Sequence, residues 1–292
     1  MGKIGYIGLG VMGAPMARNL SSKYDIIVFD IDGKRMQLVP EAEKATSVVE
    51  VGKSAEMIFL SLPDSATVRE VVLGVDGLIQ SLHKGSLIID TSTTSPNITK
   101  EISQTLDKRG IDFLDSPVSG GEKAAIEGTL SLMAGGKEEA FNRSLEVLNT
   151  IGSSVVRVGE SGMGEVAKLV NNLIVGVTFA AVAEGFALGV KSGLDPRILY
   201  EAIRGGWAES KVLDVSAEAM LTRDFSPGGT VDIHWKDLGY ALALAREEDV
   251  PLPATAITHE IFKAARASGR GKLAQPAIVN LWEELLKIQV GE

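Results

Sequence analysis

Gly8-Leu9-Gly10-Val11-Met12-Gly13 stands where an apolar strand, Lys3-Ile4-Gly5-Tyr6-Ile7, should hand over to a helix running from Met12 to Leu20. Glycines at this spacing permit a tight turn, let the backbone approach an anion closely and let helix pack on strand. The helix N-terminus can then offer free N–H groups to a pyrophosphate. Alone, G-x-G-x-x-G is a weak signal. Here a second apolar strand, Asp25-Ile26-Ile27-Val28-Phe29, ends in Asp30, about twenty positions past the central glycine, where a carboxylate can take the adenosine ribose hydroxyls. The stretch therefore predicts a dinucleotide cradle, with Asp30 favouring NAD(H). A competing reading makes residues 1–20 a secretory signal. It fails on the glycines and on Arg18-Asn19, which interrupt any continuous apolar core, so a cytoplasmic location is the expectation.

Outward from this stretch, strand-like runs at 3–7, 25–30, 56–62, 86–90, 111–115, 130–134 and 154–158 alternate with helical ones. Such alternation reads as βαβ units in a mostly parallel sheet, an α/β doubly wound, Rossmann-type domain. Ligands of such sheets bind at the carboxyl ends of the strands, so Gly8–Gly13, Asp30, Pro63-Asp64-Ser65, Thr91-Ser92-Thr93 and Ser116 to Gly121 are the positions to weigh. Near Gly159–Gly164 the strand signals stop. Apolar spacings of three and four recur through 164–192, 196–205, 211–222, 231–248, 254–268 and 275–288, with breaks at 193–196, Ser226-Pro227-Gly228-Gly229 and Pro251/Pro253. The expected organisation is a dinucleotide-binding domain, 1–162, followed by an all-α domain, 163–292, that opens with a long interdomain helix.

Composition narrows the partners. A formal charge of −9 over 292 residues disfavours nucleic acid and anionic membranes, both of which select a basic footprint. Cysteine is absent, which excludes disulfides and thiolate chemistry, and His83, His234 and His259 are too dispersed for a metal site. Leu169 to Val190 is apolar apart from Asn171, Asn172 and Glu184. Its longest uninterrupted run, Leu173 to Ala183, is about half the ~20 residues a bilayer needs. A helix apolar nearly all round belongs between domains or subunits, so a homodimer or homotetramer is expected.

Lys168, Asn171 and Asn172 fall at i, i+3 and i+4 on that helix. Burial among apolar neighbours would lower the pKa of Lys168 toward the range useful to a general base; a lysine that snorkels to solvent is the plain alternative. Ser119-Gly120-Gly121 follows the strand ending at Asp115. Its backbone N–H groups could form an anion nest suited to a carboxylate, or simply a turn. His234 is the rival base, though beside Trp235 a packed role is the default. Trp207, after Arg204-Gly205-Gly206, could line a pocket, with a core aromatic as the default. Lys236 reads first as a cation paired with Asp237.

Taken together, these stretches resemble the β-hydroxyacid dehydrogenase family, which includes 3-hydroxyisobutyrate dehydrogenases and tartronate semialdehyde (2-hydroxy-3-oxopropionate) reductases. The resemblance covers essentially the whole chain. It rests on Gly8–Ala17, on Asp115-Ser116-Pro117-Val118-Ser119-Gly120-Gly121, on Gly162-Met163-Gly164 through Lys168-Leu169-Val170-Asn171-Asn172, and on Lys236-Asp237-Leu238. It implies that Lys168 exchanges the proton, that Asn172 orients the substrate, and that Ser119, Gly120 and Gly121 hold its carboxylate. It also implies that Leu62, Pro63, Thr93 and Lys236 approach the dinucleotide. Phe29-Asp30 stands where NADP-preferring relatives often carry Asn-Arg, which implies NAD(H), with Lys34 and Arg35 leaving NADP(H) open. Gly269-Arg270-Gly271 and Leu273–Pro276 depart from the family's usual tail. Ala202–Gly206 and Val212-Leu213-Asp214 look most like the tartronate semialdehyde reductases. The other readings are 3-hydroxyisobutyrate dehydrogenase, a non-catalytic dinucleotide-binding scaffold, and an imine reductase on the same scaffold, against which Lys168 argues because such relatives usually lack the lysine.

Overall fold

The computed structural model describes residues 2–226 and 228–291, so Pro227 of the predicted break lies outside the described residues. The chain divides into two compact units, Met1–Lys168 and Leu169–Glu292.

The first unit alternates strand and helix: β1 (Ile4–Ile7), α1 (Gly13–Ser21), β2 (Ile26–Phe29), β3 (Glu43–Lys44), α2 (Val48–Ser54), β4 (Met57–Leu60), α3 (Ser65–Leu73), β5 (Leu87–Asp90), α4 (Pro96–Asp107), β6 (Asp112–Asp115), β7 (Val118–Ser119), α5 (Gly121–Glu127), β8 (Leu130–Gly135), α6 (Glu138–Ile151) and β9 (Gly152–Gly159). The strands form one sheet in the order β3-β2-β1-β4-β5-β6-β8-β7, with β9 on β8. Strands β1 to β6 run parallel; β8 is antiparallel to β6 and β7. The predicted strands are all present. The two-residue strands β3 and β7 carry no periodicity to read, and neither was expected.

Both faces of the sheet are covered, which is why its central strands read as unbroken apolar runs. Tyr6, Val28, Phe59 and Leu114 face a layer containing α1, α5 and α6. Their alternates Ile7, Ile27, Ile58, Ile88 and Phe113 face α2, α3 and α4. Strand order reverses beside β1: the chain goes first to β2 and β3, then returns to β4 on the other side. Such a reversal opens a crevice at the carboxyl ends of the two diverging strands.

The long helix α7 (Met163–Lys191) starts in the first unit and continues into the second, so the division falls at 168/169 rather than at the expected 162/163. Its first turn belongs to the sheet unit because its amides and Glu165 are bonded to residues there, as shown below.

The second unit continues with α8 (Pro196–Ile203), α9 (Lys211–Thr222), α10 (Val231–Glu247), α11 (Pro253–Ala265) and α12 (Asn280–Leu286). Its core gathers Phe179, Ala183 and Phe186 of α7 with Met220, Leu238, Phe262 and Val279. The two last predicted helices are shortened. Gly269, at φ +85°, ends one in a wide turn over Arg266–Arg270, and Pro276 starts the other as a tight turn over Gln275–Val279. By length and composition alone α7 would qualify as a membrane span, a test that a buried core helix also passes. On the side opposite its core residues, Val170, Ile174 and Leu188 are exposed. Trp207 corrects the expectation of a core aromatic: it is fully exposed, in the turn after Gly205-Gly206, at the wall of a cavity shared with Phe186, Leu199, Ile203 and Leu213.

Candidate active site

The three motif glycines are needed for three different reasons. Gly8 holds φ +94°, and any Cβ there would strike the Ser61 carbonyl oxygen at the end of β4. A Cβ on Gly13 would strike the Gly8 carbonyl oxygen, so this glycine lets α1 lie against β1. A Cβ on Gly10 would meet nothing within 4 Å. That open space lies over the loop that precedes the first helical bond, from Ala14 N–H to the Gly10 carbonyl. The amides of Val11, Met12 and Gly13 come before that bond and are the donors a helix start leaves for an anion.

Asp30 is buried at the end of β2. Its Oδ2 accepts the Leu9 N–H at 2.7 Å and its Oδ1 the Asp32 N–H at 2.8 Å, so the carboxylate ties the glycine loop to the second strand. Each oxygen keeps a lone pair for a ribose hydroxyl. The Arg35 guanidinium, 3.9 Å from Oδ2, offsets part of the negative charge.

At the end of β4, Leu62 N–H donates to Ser92 Oγ at 2.8 Å, and Pro63 is exposed beside it. Thr91 Oγ1 donates back to the Leu60 carbonyl at 2.6 Å. These bonds hold the loops after β4 and β5, the latter carrying Thr93, side by side. After β6, Ser119 pairs with Ser131 of β8, and Gly120 and Gly121 follow at φ +137° and +72°. Both glycines take positive φ, so the turn after Ser119 is one that only glycine adopts readily.

Lys168 is 9 % exposed, near the start of α7. Besides Asp30, three acids are buried in the same unit: Asp90, Asp115 and Glu165. Asp90 and Asp115 are register partners at the ends of β5 and β6. Asp115 Oδ1 accepts the Gly162 N–H at 2.8 Å and its Oδ2 the Glu165 N–H at 3.1 Å. It thereby caps α7 from another element, since Gly162 has no side chain to do so. Burial pushes Asp115 up to about 6 against the pull of those amides, and burial with the nearby Asp90 charge pushes Glu165 well above the carboxylate range. Glu165 Oε2 accepts the Thr94 N–H and Oε1 the Thr94 hydroxyl, each at 3.0 Å.

In the second unit, α10 clasps Asn172 twice. Asn172 Nδ2 donates to Asp237 Oδ2 at 2.6 Å, and His234 Nε2 lies 3.0 Å from the Asn172 carbonyl oxygen. Asn171 Nδ2 donates to Asn172 Oδ1 at 2.9 Å, which leaves one Asn172 N–H for other use. His234 stacks on Phe262 at 5.0 Å, edge-on to Phe179: a packed ring, as its apolar surroundings in sequence suggested. Lys236 Nζ lies 3.1 Å from Asp237 Oδ1 and 5.0 Å from the Tyr240 ring centroid.

The structure thus groups Gly8–Gly13 with Asp30, Leu62 with the Thr93 loop, and Asn172 with Lys236 through Asp237. Sequence reading missed the roles of Asp115, Glu165, Thr94 and Asp237. The available signal was an acid closing an otherwise apolar strand, in Ile88-Ile89-Asp90 and Phe113-Leu114-Asp115, and an acid in the first turn of an apolar helix.

Residues 3–159 match the NAD-binding domain of 6-phosphogluconate dehydrogenase, and residues 162–282 match the NAD-binding region of NADP-dependent 3-hydroxyisobutyrate dehydrogenase. The chain belongs to the β-hydroxyacid dehydrogenase family. It is 37 % identical to 2-(hydroxymethyl)glutarate dehydrogenase of Eubacterium barkeri over 99 % of this chain and 97 % of that one. It is 38 % identical to 2-hydroxy-3-oxopropionate reductase of Escherichia coli strain K12 over 96 % and 97 %. A crystal structure of 3-hydroxyisobutyrate dehydrogenase from Salmonella typhimurium superposes with a TM-score of 0.87 at 29 % identity, covering 96 % of this chain and all of that one. As a β-hydroxyacid dehydrogenase, the protein is an enzyme, a nicotinamide-dependent oxidoreductase.

Proposed function

We propose that this β-hydroxyacid dehydrogenase interconverts a short 3-hydroxy acid and its 3-oxo acid or semialdehyde, with tartronate semialdehyde as substrate and NAD(H) as preferred cofactor. The observation that carries the reaction type is a nearly buried lysine, Lys168, near the start of α7, in the same unit as the turn in which Gly120 and Gly121 follow Ser119 at positive φ. A bound nicotinamide supplies or accepts the hydride at its C4. In reduction the Lys168 ammonium protonates the forming alkoxide; in oxidation the neutral amine takes the hydroxyl proton. Ser119 and the amides of Gly120 and Gly121 hold the carboxylate, which fixes the distance from anion to reacting carbon. The remaining Asn172 N–H orients the substrate oxygen.

The cradle fits a dinucleotide because Gly10 leaves room and Val11, Met12 and Gly13 leave donors. Asp30 supports NAD(H), and Arg35 beside it supports tolerance of a 2′-phosphate. Support for tartronate semialdehyde comes from the Ala202–Gly206 and Val212–Asp214 segments and from the similarity to the Escherichia coli reductase. The likeness of the whole fold to a 3-hydroxyisobutyrate dehydrogenase favours that oxidation as the second reading. The test follows NADH and NADPH absorbance with tartronate semialdehyde, 3-hydroxyisobutyrate, serine, 4-hydroxybutyrate and sulfolactaldehyde. Highest kcat/KM for tartronate semialdehyde with NADH is the expected result. Tight NADH binding with no turnover of any of them would favour a scaffold role.

A further inference from the structure

Buried carboxyl groups are costly, and the proton and hydride chemistry proposed for Lys168 employs neither Glu165 nor Asp115. Both instead bond the first turn of α7 to the ends of neighbouring strands. Asp115 takes two amides of that turn, and the approach is so close that a Cβ on Gly135 would lie 2.7 Å from Asp115 Oδ2. A Cβ on Gly164 would lie 2.8 Å from the same oxygen. Glu165 reaches in another direction, to both the amide and the hydroxyl of Thr94, and Thr94 Oγ1 lies 2.9 Å from Thr99 Oγ1 on α4. Thr94 directly follows Thr93 in the loop after β5, and Glu165 precedes Lys168 by three residues on α7. One buried side chain therefore joins the loop assigned to the cofactor to the helical turn that carries the proton donor.

We infer that Glu165 is a positioning residue, a buried tether that fixes the first turn of α7, and with it Lys168, against the Thr93-Thr94 loop. The inference rests on the role proposed for Lys168. Satisfied polar networks of this kind hold geometry more tightly than apolar contact, because each bond has a defined length and direction. Proton transfer falls steeply when donor and acceptor are misplaced by about 1 Å, whereas binding spread over a large cofactor does not.

The tether predicts a split between kcat and affinity. Glu165→Ala should lower kcat by about 10- to 100-fold, with the substrate KM and the NADH Kd within about threefold of the unmodified enzyme. Glu165→Gln, which can still accept the Thr94 amide and donate to its hydroxyl, should stay within about threefold in kcat. Thr94→Val keeps the volume and the amide but loses the hydroxyl, and should fall between them. Turnover is read with NADH and tartronate semialdehyde or the best substrate of the panel above, alongside amide hydrogen exchange at Thr94. A normal kcat in Glu165→Ala, or a Gln variant as impaired as the Ala variant, would overturn the tether. If Glu165→Ala fails to fold, an unchanged kcat in Thr94→Val overturns it. Should Lys168→Ala keep its turnover, the proton-transfer reading fails on its own. The tether is then decided by exchange at the Thr94 amide, at least about tenfold faster without the Glu165 carboxyl if it holds and unchanged if it does not.

Discussion

Replacing Glu165 by Gln should make the enzyme more stable at neutral pH than at acid pH, measured relative to the unmodified protein. Burial, with Asp90 beside it, raises the folded-state pKa of Glu165 well above the 4.5 of an exposed glutamate. Its contribution is thus fully present below that unfolded value and is lost as pH rises toward the folded one. Within that window the folded chain holds a proton the unfolded chain has released. Each pH unit then costs the unmodified protein about 1.4 kcal/mol. Gln has no proton to lose and is spared this. As pH rises through that window the Gln variant should therefore gain on the parent, by at most about 1.4 kcal/mol per pH unit. At roughly 2–4 °C per kcal/mol for a chain approaching this size, the Tm difference should widen with rising pH by at most about 3–6 °C per unit. Asp90 and Asp115 are present in both proteins, so the subtraction removes most of their titration. Calorimetry is the suitable assay, because Trp207, Trp235 and Trp282 all lie in the second unit and would report on the wrong part of the chain. A Tm difference that stays constant from pH 5 to pH 7 would refute the reasoning, since it would mean that Glu165 ionises alike in folded and unfolded chains.

Asp30→Ala should narrow the NADH-over-NADPH preference in kcat/KM, chiefly through KM, because it removes the ribose acceptor and frees Arg35 for a 2′-phosphate. It should also weaken NADH itself, since the Leu9 amide loses its acceptor, and a parent enzyme that prefers NADPH would contradict the role of Asp30. The methyl ester of a good substrate should lose about 10²-fold or more in kcat/KM, from two charge-assisted bonds of about 1.5–3 kcal/mol each; equal values for acid and ester would remove the carboxylate site. Gly120→Ala should give a similar defect with the free acid, because φ there is +137° and a Cβ would sit 2.7 Å from that of Ala124. The exposed stripe Val170, Ile174 and Leu188 is expected to be covered by a second copy of the chain. Light scattering should therefore find a dimer or tetramer that Ile174→Asp shifts toward monomer, and a parent protein that is monomeric at micromolar concentration would exclude this.

The parts legible in the sequence were those with local signals. Central strands buried on both faces leave unbroken apolar runs, and glycines at fixed offsets mark the turn between β1 and α1. What escaped depends on distant residues. Asp115 and Glu165 look like ordinary acids until the register of β5 and β6 and the close approach of α7 bring them within reach of amides 47–50 and 71 residues away. Asp237 reads as a partner for Lys236, its sequence neighbour, and only the packing of α10 adds the bond to Asn172. Trp207 was misplaced because apolar character alone cannot tell a core position from a turn that projects into solvent. The strands β3 and β7 were too short to show any period.

Proton transfer by Lys168 is tested most directly by steady-state turnover of Lys168→Ala and Lys168→Arg, measured alongside NADH binding. Removing the amine should lower kcat by about 10²–10⁴ while leaving the NADH Kd within about threefold, because only the proton donor is lost. Arginine should do no better, since a guanidinium keeps its proton at any working pH and cannot act as the base. Near-normal turnover in either variant would show that the proton comes from another group.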